Sequence, residues 1–248
     1  VKPMSHSTIQ YSTPGTPLLD RPVGELVAER PGRSRVFQNH QIDFCCQGNR
    51  TLREACERKG IAVETVISEL EQEQAGKGES EKNPANLEPE ALCHYIVETH
   101  HEFLREELPR VHAMAERVAQ VHGGHTPSLV EAYHVFHGMA QELINHMAKE
   151  EQVLFPAITA LDRKELEEWD LDGPISCMME EHQDTGSALK RLNELTEGYQ
   201  PPPDACNTYR ALFAGLADLE KDLQRHIHLE NSVLFPAARQ LINSTDSA

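Results

Sequence analysis

The chain has 248 residues, 39% of them hydrophobic and 25% charged, which is enough apolar material to bury a core in one or two domains. Its 23 Lys and Arg face 40 Asp and Glu, and the formal net charge of −17 sets it against nucleic acid and anionic membrane surfaces. No run of about 20 apolar residues is present to span a bilayer, and the N-terminus lacks the basic-then-apolar pattern of an export signal, so a cytoplasmic setting is expected.

Residues 1–22, with Pro3, Pro14, Gly15, Pro17 and Pro22 among Ser and Thr, read as a flexible leader. Residues 23–71 read as a small helical domain. Val23, Leu26 and Val27 mark one short amphipathic helix, and Val63, Val66, Ile67 and Leu70 another. Between them runs Asp43-Phe44-Cys45-Cys46-Gln47-Gly48-Asn49-Arg50-Thr51-Leu52, where Gly48-Asn49 is a turn signal and Thr51 with Glu54 a capping box. Adjacent Cys45 and Cys46 make a poor structural disulfide. They are expected to be accessible thiols with a redox or metal-exchange role. No C-x-x-C pair supports a zinc ribbon. Cys93, Cys177 and Cys206 are expected to be buried small residues.

Residues 72–89, with Gly76, Gly78, Pro84 and Pro89, read as a linker, and 242–248 as a tail. Residues 90–241 carry helical periodicity broken at Gly123-Gly124, at Asp172-Gly173-Pro174 and at Pro201-Pro202-Pro203. Four long segments, with a short extra helix around 163–170, predict an all-α fold built on a four-helix bundle.

Two stretches 80 residues apart share H-x-x-x-E-x-x-V-L-F-P-A: one starts at His146, the other at His226. In the fourth helix Leu212, Leu216, Leu219, Leu223, His226, Glu230 and Val233 step by 4 and 3, the spacing of a bundle core. In the second, Ala132, Phe136, Met139, Leu143, His146, Glu150 and Val153 step identically. His101 interrupts the stripe Val97, Leu104, Leu108, Val111 of the first helix. His182 interrupts Ile175, Met178, Thr185, Leu189, Leu192 of the third. One stripe histidine is most simply a core residue. Four histidines with two glutamates in a duplicated motif are not, because unpaired buried carboxylates cost several kcal/mol or more. Bound cations remove that cost. Four imidazoles and two carboxylates (His101, His146, Glu150, His182, His226, Glu230) suit two iron ions, with an oxo or hydroxo bridge expected between them.

His122 lies 21 residues beyond His101, about 31 Å along a straight helix, and joins this set only if the chain turns back near Pro109, so it is left out. His100 reads as a surface or supporting residue. His112, His134, His137 and His228 read as surface. Glu142 and Glu181 flank ligands and read equally well as supports of the metal or as solvated carboxylates. Leu154-Phe155-Pro156 and its repeat read as a core plug and helix stop.

The order H…H-x-x-x-E…H…H-x-x-x-E with both LFP tails resembles the hemerythrin-like (HHE) domain over residues 90–241. The Asp43–Leu52 segment resembles the small domain of the RIC group, the di-iron iron–sulfur cluster repair proteins. Leu108-Pro109 and Gly173-Pro174-Ile175-Ser176 also resemble that group. Gln47 departs from it, where a second Gly commonly follows the Cys pair. The resemblance implies a non-haem di-iron centre on the six residues above. It implies repair of iron–sulfur clusters damaged by nitrosative or oxidative stress, by supplying iron, with damaged iron–sulfur proteins as partners. Cys45 and Cys46 would then contact the acceptor or transfer iron or electrons. A hemerythrin-like O2 or nitric oxide sensor, or a nitric oxide reductase, is the alternative. A homodimer is an open expectation with no residue pattern marking its face.

Overall fold

A computed structural model describes residues 15–76, 83–165 and 170–245. It is all-α, and no strand occurs among the described residues. Four helices make up the N-terminal part: α1 (Val23–Glu29), α2 (Arg33–Asn39), α3 (Leu52–Lys59) and α4 (Val63–Gly76). Then follow α5 (Pro89–Ile96), α6 (Glu102–His122), α7 (Ser128–Lys149), α8 (Phe155–Asp162), α9 (Asp172–Leu195), α10 (Asn207–Leu229) and α11 (Phe235–Thr245). No helix among the described residues is long and apolar enough to cross a membrane. The expected leader is described from Gly15 onward, with a 3-10 turn at Leu18–Asp20. At the expected linker, α4 runs on to Gly76, 77–82 lie outside the described residues, and Pro84–Asn86 form a 3-10 turn. Of the expected short helix around 163–170, residues 163–165 form a turn and coil instead, and 166–169 lie outside the described residues.

Contacts divide the chain into two compact units. One comprises 94–160 and 170–223, the other 1–93, 161–169 and 224–248. The first is a four-helix bundle. Its core takes Leu104, Leu108, Val111 and Val118 from α6, Phe136, Met139 and Leu143 from α7, Leu189 and Leu192 from α9, and Leu212, Leu216, Leu219 and Leu223 from α10. These are the stripes read at the sequence level, and burying them is what removes the four amphipathic faces from water. α6 passes Pro109 unbroken.

The second unit is cored by Val23, Leu26, Phe37, Phe44, Leu52, Val66 and Leu70, joined by Ile227 of α10. Its local signals form as predicted. The Thr51 side chain accepts from the Glu54 N–H while the Thr51 N–H donates to the Glu54 carboxylate. At the other end of α3, Gly60 adopts φ +66°, a left-handed conformation that glycine takes without a Cβ penalty. Gly48 and Gly24 meet backbone to backbone, Gly24 N–H donating to Gly48 O (2.8 Å). A Cβ on Gly48 would lie 2.5 Å from Phe44 O.

Three π-turns interrupt the long helices: Val97–His101, Glu150–Leu154 and Glu230–Leu234. In each, the closing N–H reaches back five residues: Glu102 to Val97, Phe155 to Glu150, Phe235 to Glu230. At Glu150–Leu154 Val153, expected in the core, is 50% exposed and Leu154 is buried, whereas at the matching turn both Val233 and Leu234 are buried. Likewise Ile96 rather than Val97 is the buried residue before His101. The turns also overturn the helix-stop reading of the LFP tails. Pro156 and Pro236 sit just past the wide turn, where the regular i→i−4 ladder is already interrupted, and α8 and α11 continue.

Candidate metal centre

In the bundle unit α7 carries His146 at its last turn and the π-turn begins at Glu150, whose side chain is completely buried. The two oxygens of Glu150 face different imidazoles: Oε1 lies 3.3 Å from His146 Nε2, and Oε2 lies 3.4 Å from His101 Nε2. His182 of α9 brings its Nε2 to 3.1 Å from His146 Nε2. Two nitrogens about 2.1 Å from one metal on adjacent octahedral corners stand about 3.0 Å apart. His101, His146 and His182 are all buried.

The remote ring nitrogens fix these orientations. His101 Nδ1–H donates to Glu151 Oε1 (2.6 Å), and Arg105 pairs with the same carboxylate. His146 Nδ1–H donates to Glu181 Oε2 (2.8 Å), and Lys149 pairs with the other oxygen of Glu181. An ionised carboxylate can only accept, so each Nδ1 carries the proton, which leaves the Nε2 of a neutral ring as the atom able to bind a metal. Burial pushes the Glu181 carboxyl up, but hydrogen bonds from Lys149 and His146 outweigh it and hold the group below its ordinary range. The ring of His101 is also stacked on Phe155 (5.8 Å, 15°).

In the other unit, the end of α10 and the π-turn after it repeat the pattern. His226 Nε2 lies 2.9 Å from Glu230 Oε1, and both residues are buried. The same segment carries the Cys loop. Asn231 Nδ2 donates to Cys45 O (3.1 Å), and Phe44 packs edge-on against His228 (5.6 Å). The thiols therefore pack on the helical turn that holds Glu230. Cys45 is buried and Cys46 half-buried, not the accessible pair expected, because Phe44 anchors the loop in the core. Asp43 Oδ1 accepts from the N–H groups of Cys45 (3.2 Å), Cys46 (2.9 Å) and Gln47 (3.3 Å). The hydrogen-bonded Cys46 thiol, burial and the Asp43 carboxylate push the Cys45 thiol well above its ordinary pKa.

Other readings change. His228 is buried rather than at the surface, and burial pulls its pKa down to about 4. His100 is buried too, its Nδ1 2.9 Å from Asp222 Oδ1. Cys177 and Cys206 are exposed, whereas Cys93 is buried as expected. His122 lies beside Cys206 and Tyr209 at the far end of α6 from His101. Glu142 is exposed, while Glu181 is bound to a histidine. Sequence reasoning missed Glu151, Asp222 and Asn231. Each lies off the apolar stripe, and only for Glu151, directly after Glu150, was there a signal to follow.

The donor set fits iron: imidazoles held by hydrogen bonds around a buried carboxylate whose two oxygens face different histidines. Comparison with known proteins agrees. Residues 94–238 match the hemerythrin HHE cation-binding domain, and residues 19–74 match a domain of unknown function, DUF542. The chain is 38% identical over 222 residues to the iron–sulfur cluster repair protein YtfE of Edwardsiella ictaluri, covering 88% of this chain and 96% of that one. It is 35% identical over 213 residues to the iron–sulfur cluster repair protein ScdA of Staphylococcus haemolyticus, covering 86% and 95%. YtfE of Escherichia coli O6:K15:H31 is 38% identical over 220 residues, with coverage of 88% and 96%. With the hemerythrin match spanning more than half of its length and these relatives covered almost end to end, the chain belongs to the hemerythrin HHE cation-binding family, in the YtfE/ScdA group that adds an N-terminal DUF542 domain.

Proposed function

We propose that the protein repairs damaged iron–sulfur clusters by donating iron from a di-iron centre. The ligands proposed are His101, His146, Glu150, His182, His226 and Glu230. The observation that carries the reading is Glu150, wholly buried, with one oxygen toward His146 and the other toward His101. A carboxylate so placed could bridge two metals. The duplicated H-x-x-x-E motif would supply Glu230 as a matching carboxylate and His226 as its partner. When bound, iron supplies the redox-active cargo that a damaged cluster needs, and an oxo or hydroxo bridge and nitric oxide or O2 as small ligands belong to the same proposal.

The chain's own residues orient and hold that cargo. Glu151 and Glu181 keep the Nε2 lone pairs of His101 and His146 inward, while burial excludes water from the carboxylate. The division of labour proposed is a metal-holding region at 90–241 and a delivering one at 23–71, where Cys45 and Cys46 act. The relatives, known as iron–sulfur cluster repair proteins, favour repair over a sensor or a nitric oxide reductase.

Elemental analysis of protein purified without chelators is expected to give about two irons per chain; zinc alone or no metal would overturn the centre. Replacing Glu150 and Glu230 by Leu is expected to remove most of the iron. Cys45→Ala with Cys46→Ala is expected to keep the iron and abolish repair of a nitric-oxide-damaged cluster in vitro. Unchanged repair would end the thiol role.

A further inference from the structure

The carboxylate–imidazole centre does not use Asp43, Cys45 or Cys46, yet the ligand atoms of these three lie within 4.8 Å of one another. We propose that they form a separate mononuclear cation site, two thiolates and one carboxylate oxygen with an open fourth position, which takes a thiophilic divalent metal.

The argument is geometric. Two sulfurs about 2.3 Å from one tetrahedral metal stand about 3.8 Å apart; Cys45 Sγ and Cys46 Sγ are 3.7 Å apart. An oxygen at about 2.0 Å and a sulfur at about 2.3 Å stand about 3.5 Å apart; Asp43 Oδ1 and Cys45 Sγ are 3.4 Å apart. Two of the three atom pairs thus sit at coordination spacing and the third lies within 4.8 Å, while a disulfide would need the sulfurs at about 2.05 Å. The arrangement is held from several sides. Three backbone N–H groups fix Asp43 Oδ1, and Asn231 fixes the Cys45 carbonyl.

The three ligands also form a gradient from inside to outside: Cys45 is buried, Cys46 half-buried and Asp43 exposed. A cation held there touches the turn next to Glu230 through Cys45 and solvent through Asp43. Without metal the buried Cys45 thiol is protonated. Binding therefore follows M²⁺ plus two thiols giving a metal bis-thiolate plus two protons, with no change of oxidation state. Arg50, Arg58 and Lys59 line a shallow pocket with Asp43 and Gln47. That the cation in the cell is Fe²⁺ rests on the iron-donor reading above; the site itself does not.

The test titrates Co²⁺ into reduced, iron-loaded protein without oxygen and reads the near-ultraviolet thiolate-to-cobalt charge-transfer absorption. The expected result is saturation at one equivalent with the iron content unchanged. The absorption is expected to vanish in Cys45→Ser/Cys46→Ser. In Asp43→Asn, which keeps an Oδ1 acceptor for the three N–H groups and so keeps the turn, binding is expected to weaken at least tenfold. No charge-transfer absorption, or absorption that survives in the double serine variant and so arises from Cys56, Cys93, Cys177 or Cys206, overturns the site. Failure of the iron-donor reading looks different: iron-loaded protein that surrenders no iron to a cluster-deficient acceptor, with the cobalt titration intact.

Discussion

Glu151 is the residue whose effect is easiest to isolate. It is partly exposed and touches no proposed metal position, yet it fixes the tautomer of His101 and is itself tethered by Arg105. Removing such a partner of a ligating histidine typically weakens metal binding about 10–100-fold. Glu151→Leu is therefore expected to lower iron affinity by that order, read by competition with a chelator, and Glu151→Gln, which keeps an acceptor, to lower it less. Equal loss in the two variants would show that packing, not the hydrogen bond, is what matters. His228 sets a pH dependence. Its pKa falls to about 4 in the folded chain from an ordinary 6.5, so the unfolded chain takes up the proton first as pH drops. Its contribution is complete above pH 6.5, declines from there to about pH 4 and is constant below. Between pH 7 and pH 5 iron-free protein should lose about 2 kcal/mol through this group. In His228→Leu that part of the loss should disappear from urea unfolding curves, and an unchanged pH slope would contradict it.

At the scale of elements, the four apolar stripes and the burial of the histidines and glutamates on them were legible because periodicity and burial are the same fact for a long amphipathic helix. The capping box at Thr51 and Glu54 and the turn at Gly48-Asn49 were legible because their chemistry is local. The π-turns were not. An inserted residue leaves the composition of a stripe unchanged and moves only its phase, which is why Val153 was assigned to a core that Leu154 occupies. Buried His228 was illegible for a related reason. What covers it is Phe44, distant in sequence, and no helical period reports that contact. The turn at Glu150–Leu154 gives a direct test, since deleting Val153 should convert it to regular helix. Leu154 would then follow Glu150 by three residues, the stripe place expected of Val153, and would stay in the core with Phe155. Far-ultraviolet circular dichroism should stay helical, and stability should change by less than about 1.5 kcal/mol. A loss of about 2–5 kcal/mol, the usual cost of emptying a large core position, would show that the wide turn itself is needed to seat Leu154.

For the whole molecule the centre is a trade between function and folding. Glu150 and Glu230 are fully buried carboxylates in a chain of net charge −17. Each carries a desolvation cost that a bound cation would offset. Iron that binds the folded chain and not the unfolded one raises stability in proportion to the logarithm of its concentration over its dissociation constant. On the iron-donor proposal, release to an acceptor would restore that cost, which would make the metal easier to give up than in a scaffold with a neutral core. The sign of this effect is measurable. Glu150→Gln keeps the size and hydrogen-bonding capacity of the side chain and removes the charge. Without iron the variant should unfold at a higher temperature than the parent; with iron supplied the order should reverse, because the parent gains the metal and the variant does not. A variant less stable than the parent in both states would show that Glu150 is satisfied without a cation, and that the duplicated carboxylates serve the fold rather than the metal.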